Sequence, residues 1–142
     1  MSYEKLLLVP VFAHVTMIFI SVFSLGFARV ASVRRGEVKV RDIALDSEKW
    51  PDELRKRANN YRNQFELPVL FYAVVAFILA IGVAGPVELI LAWIFVATRF
   101  VHTYIHMGSN YVRHRFYAFA ASAFTLTLMW LWFAARVFTS GA

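Results

Sequence analysis

The sequence predicts an all-α integral membrane protein, a bundle of four spanning helices in one domain over residues 1–142. Two observations carry this. Hydrophobic residues make up 60% of the 142-residue chain and charged residues only 17%, more apolar surface than a soluble domain of this length hides. Four apolar runs also approach or exceed the roughly 20 residues a spanning helix needs.

The first run, Leu6 to Ala28, has no charged residue and predicts a helix over about 6–29. Its length and the lack of a small-x-small site after it argue for a span rather than a secretory leader. A basic loop over about 30–50 follows, broken by Gly36. Pro51 suits a first helical position, and Asp52 and Glu53 suit the positive end of a helix dipole. A second helix is therefore expected over about 51–84, entering the membrane at the uncharged run Leu67 to Ala84. Pro68 should kink it and free the carbonyl of Gln64. Gly82, Gly85 and Pro86 form a tight turn into a third helix, about 87–111. Its run from Val87 to Met107 holds Glu88 near one end and Arg99 inside. The uncharged run Phe116 to Ala135 predicts a fourth helix, about 115–138.

The net charge of +6 is concentrated between these runs, which fits a membrane protein rather than a nucleic-acid partner. Ten of the fifteen Lys and Arg residues lie from Arg29 to Arg62, and the turn "IGVAGP" has none. The positive-inside rule then puts the basic connections in the cytoplasm and both termini outside. Cysteine is absent, which excludes disulfides, thiolate metal sites and a cysteine nucleophile.

Polar residues inside spanning helices are expensive and must face protein or a wet cavity. Asn59, Arg62, Asn63 and Glu66 share one helical face, and Arg99, His102, Thr103, His106, Asn110 and Arg113 form a matching stripe. Topology brings both stripes, with Arg113 and Arg115 at the start of the fourth helix, to one membrane level. A structural reading pairs Glu66 with Arg99 as a buried ion pair. His102 and His106 lack a clear third ligand for a metal. His14 reads as a packing histidine away from this cluster. Arg34 and Arg35 suit head groups, and Trp93, Trp130 and Trp132 suit lipid-facing or interfacial positions.

"RNQFELP" opening the second helix and "RFVHTYIH" in the third, with four helices and a basic first loop, resemble the MAPEG family, the membrane-associated proteins in eicosanoid and glutathione metabolism. The resemblance implies a homotrimer that binds glutathione between subunits near the cytoplasmic face. It matches Asn63 and Glu66 to the family's helix-two pair and Arg99 and His102 to its helix-three pair. It also expects an arginine at the start of helix four to stabilise the thiolate, Arg115 ahead of Arg113. The pattern departs at Asn59, where many enzymatic members carry arginine, and at His106, where many carry tyrosine; Arg62 or Arg57 is placed to compensate for the first.

The leading expectation is a bacterial inner-membrane transferase or peroxidase that uses glutathione against lipophilic electrophiles, surrounded by lipid. The alternatives are a non-catalytic trimer of the same fold, whose stripes only pack helices, and an ion or proton pathway through Glu66, His102 and His106.

Overall fold

A computed structural model describes residues 2–139. All regular structure among them is helical: α1 (Tyr3–Arg34), α2 (Val40–Ile43), a 3₁₀ turn at Ser47–Lys49, α3 (Asp52–Asn63), α4 (Leu67–Ile81), α5 (Pro86–Met107) and α6 (Val112–Thr139). Four helical stretches are long and apolar enough to cross a membrane: α1, α3 with α4, α5, and α6. The 32 residues of α1 span about 48 Å, well beyond the roughly 30 Å hydrocarbon layer. It therefore carries Arg29 and Arg34 out to the head-group level, and the loop starts later than expected.

The second helix is broken, not kinked. Residues 64–66 form a turn between α3 and α4, and Pro68 lies in the first turn of α4. A continuous helix would press the Pro68 ring against the Gln64 carbonyl. Ending α3 at Asn63 and restarting at Leu67 puts Pro68 where its missing N–H costs nothing. The last bonds of α3 tighten to three-residue spacing, Gln64 N–H to Tyr61 O and Phe65 N–H to Arg62 O, both 3.0 Å.

The core lies between the spanning helices. Leu7, Phe71, Val74, Ile78, Phe95 and Met129 are almost fully buried, and the rings of Phe71 and Phe95 stack at 4.6 Å. Large apolar side chains such as Phe12, Phe19, Ile20, Phe124 and Leu131 point outwards, as an acyl-chain solvent requires and water does not. α5 packs most extensively on α6, and α1 on α5.

At the turn end of the bundle, Gly82 caps α4 at φ 74°, a left-handed conformation that favours glycine. Glu88, buried in the first turn of α5, accepts the indole N–H of Trp132 at 2.8 Å. Its carboxylate is 3.8 Å from Arg136, which donates to the Val83 carbonyl at 3.4 Å. Trp132 is thus tied to the protein as well as half-exposed. Trp130 packs on Phe77 and Phe133, while Trp93 faces outwards.

Candidate functional site

The α3–α4 break sets up the other end. A helix that stops inside a membrane leaves carbonyl oxygens without donors. Arg99, on α5 and fully buried, answers one of them, the Asn63 carbonyl. The two hydrogens of its Nη2 are shared among the Asn63 carbonyl at 3.0 Å, Asn63 Oδ1 at 3.2 Å and Gln64 Oε1 at 3.2 Å. A cation at a helix C-terminus also complements the dipole. The Gln64 amide in turn donates to Thr103 Oγ1 at 2.9 Å. Nearer the middle of the bundle, His14 Nδ1 meets the Tyr72 hydroxyl at 2.5 Å.

This arrangement corrects two expectations. Glu66 is exposed, and Arg99 spends its bonds on Asn63 and Gln64 instead of pairing with it. His14 is a packing histidine as expected, set against Phe71, Tyr72 and Phe95. The inward face of α3 is also not the expected one. Asn60 and Gln64 are buried, whereas Asn59, Arg62 and Glu66 are exposed.

On α5, His102 and His106 follow Arg99 at helical spacing and are buried, with ring centres 5.5 Å apart. Arg115 reaches back from the start of α6. Its Nη1 lies 3.3 Å from His106 Nε2 and donates to Asn110 Oδ1 at 2.8 Å. A guanidinium only donates, so His106 Nε2 is the acceptor and its proton sits on Nδ1. Asn63, His102, Arg115 and Phe119, with Val112 and Phe116, line an open cavity of about 200 Å³ beside this cluster. Arg113 is exposed and outside that lining.

The structure therefore gathers Asn63, Arg99, His102, His106 and Arg115 and leaves Arg62, Glu66 and Arg113 apart from them. Arg62 instead lines a groove of about 560 Å³ between α1 and α3, together with Arg29 and the apolar Val22, Leu25 and Phe65. The gathered site is rich in donors. No carboxylate lines its cavity, and Arg99 Nε and Nη1, His102 Nδ1 and His106 Nδ1 are buried without a protein partner. Such a site is chemically suited to anionic groups, which arginine can bind through two parallel bonds.

Charged residues define a stripe on the outward face of α3, so they do not point to the inward Asn60 and Gln64. Leu54, Asn60 and Gln64 are the buried positions of this stretch, and the break at residues 64–66 keeps the apolar phase of α4 from predicting them.

No curated protein and no solved structure matches this chain. The sequence profile of the MAPEG family matches residues 7–135. That span covers most or all of each of the four membrane-crossing stretches and every residue of the buried polar site, and the chain belongs to the MAPEG family.

Proposed function

We propose that this protein is a glutathione-dependent membrane transferase or peroxidase acting on lipophilic electrophiles. The observation that carries the reading is the donor-rich site at the α3–α4 break: two arginines and two buried histidines beside a cavity with no carboxylate in its lining. Glutathione brings two carboxylates, an ammonium and a thiol. The cavity of about 200 Å³ is smaller than the roughly 300–1,000 Å³ of complete small-molecule sites, so it suits one end of the tripeptide. The rest would lie across the outward face of α3, where Arg62 answers a carboxylate and exposed Glu66 answers the ammonium. A neighbouring copy in a homotrimer would cover that face.

In this reading Arg115 faces the sulfur, with Arg113 the less favoured arginine because it stands outside the cavity. A guanidinium beside a thiol lowers its pKa from about 8.5 and raises the thiolate fraction at neutral pH. Asn63 and His102 form the polar wall that fixes the bound end, with Arg99 and His106 buried behind them. The thiolate attacks an apolar electrophile that arrives from the lipid between outward-facing aromatic side chains. The basic loops lie in the cytoplasm, both termini lie outside, and the membrane is the bacterial inner membrane.

A second reading has its own support. All three contacts of Arg99 lie at the helix break, as expected of a non-catalytic trimer that uses its polar residues for packing. Turnover separates the two. Purified protein in lipid vesicles should consume a lipophilic chloronitroarene or hydroperoxide only when glutathione is present, and Arg115→Ala should slow it by about tenfold or more. Consumption that does not rise above protein-free vesicles would favour the packing reading.

A further inference from the structure

We infer that Asn110 is a positioning residue for Arg115: it fixes the guanidinium so that its remaining N–H groups face the cavity at the α3–α4 break. The inference rests on the proposed thiolate role of Arg115, but the residue and its geometry are independent of the family pattern. Arg115 Nη1 carries two hydrogens, and the structure gives each an acceptor: Asn110 Oδ1 at 2.8 Å and His106 Nε2 at 3.3 Å. Nε and Nη2 have no hydrogen-bond partner among the described residues and are available to a ligand. With Nη1 held at two points, a planar guanidinium cannot turn about its long axis without losing a bond.

Asn110 is itself held in an unusual way. It has φ 50°, the one non-glycine residue with positive φ among the described residues. Its backbone N–H closes the end of α5 on the Ile105 carbonyl at 2.8 Å. Asn is among the few side-chain-bearing residues that take this conformation readily. The short α5–α6 turn thus serves two purposes: the backbone of Asn110 ends one helix, and its side chain aims an arginine on the next. Where many enzymatic relatives are expected to carry tyrosine, His106 provides the second acceptor.

Glycine at position 110 keeps the backbone conformation and removes only the amide, so Asn110→Gly isolates the side chain. The first readout needs no glutathione. Nitrogen-15 spectra of the ligand-free protein in micelles should show slow rotation of the Arg115 guanidinium in the wild type and in Asn110→Asp, which keeps a short acceptor. Rotation should be fast in Asn110→Gly. Equal rotation in wild type and Asn110→Gly would overturn the inference.

The second readout is the ultraviolet thiolate band of bound glutathione. Asn110→Gly should raise the thiol pKa by about one unit, a tenfold loss of thiolate below that pKa. Arg115→Ala should raise it further, and adding Asn110→Gly to Arg115→Ala should change nothing more, as expected of residues that act as a unit. An additive double variant, or a thiol unmoved in Asn110→Gly, would overturn the positioning role while leaving the proposed function standing. A wild type that binds no glutathione would sink the proposed function, and the rotation measurement would still decide whether Asn110 fixes Arg115.

Discussion

Replacing Arg99 with methionine is the sharpest structural perturbation this fold offers. Methionine retains most of the stem and removes the guanidinium that joins α5 to the α3–α4 break. Three contacts disappear, to the Asn63 carbonyl, Asn63 Oδ1 and Gln64 Oε1. In water, bonds to a charged group are worth about 1.5–3 kcal/mol each. Between membrane helices the measured average is nearer 0.6 kcal/mol, because separated helices find other partners in the membrane. The two Nη2 hydrogens that make these contacts give about 1–2 kcal/mol on that scale. Loss of the cation at the C-terminus of α3 adds up to about 1 kcal/mol. The opposing effect is relief of a buried charge, about 2.5–3.5 kcal/mol on insertion scales. That cost is paid largely when the separate helix enters the membrane, so most of it cancels between folded and separated helices. The net expectation is a loss of about 2 kcal/mol, roughly a thirtyfold fall in the folded-to-unfolded ratio. Unfolding in mixed micelles with rising dodecyl sulfate should show it. Arg99→Lys, with a point charge in place of the fork, should recover only part. Equal or greater stability of Arg99→Met would refute the argument that this side chain repairs the helix break.

Other outcomes follow from contacts elsewhere in the fold. Glu88→Ala should cost about 1–3 kcal/mol in the same unfolding assay, because it strands the Trp132 indole; Glu88→Gln keeps an acceptor there and should cost less. The 3.8 Å approach to Arg136, itself 41% exposed, adds little. Tyr72→Phe removes the 2.5 Å contact to His14 and should cost about 0.6 kcal/mol, at most about 1.7; no loss would mean that the ring nitrogen is otherwise satisfied. At the end of α1, the hydrogen bond from Arg35, followed by that from Ser32, holds the Glu37 carboxyl below the usual carboxylate range. A depressed folded-state pKa stabilises above the unfolded value near 4.3, and that stabilisation is lost as pH falls through the folded value. Hydrogen exchange at the Glu37 amide, which donates to the Ser32 carbonyl, should therefore become less protected on acidification in wild type, and Glu37→Gln should show no such step.

Much of this architecture is legible in the sequence because lipid imposes a simple rule: long uncharged runs become helices. The runs beginning at Leu6, Val87 and Phe116 fall in spanning helices, and that from Leu67 does as far as Ile81. The α5 stripe is equally readable, since Arg99, His102 and His106 follow one 3.6-residue period and are all buried. The junction at Gln64 is not. A proline at position 68 is compatible with a kinked helix or with a new start, and the choice rests on whether a distant side chain can cap a freed carbonyl. Arg99 can, 36 residues away from Asn63, and no local pattern records that. Pairing Glu66 with Arg99 by charge failed for the same reason: a broken helix offers neutral acceptors that compete with a carboxylate. The turn at Asn110 depends on a positive φ, which composition hints at only through the residue type.

The central claim is that the donor-rich site at the α3–α4 break binds glutathione. Equilibrium dialysis of radiolabelled glutathione against purified protein in detergent tests it most directly, with Glu88→Gln as a control at the opposite end of the bundle. The account predicts saturable binding in wild type and Glu88→Gln, weakened when His102 or Asn63 is replaced by alanine. Binding that is absent in wild type, or that is indifferent to both alanine variants, would contradict it.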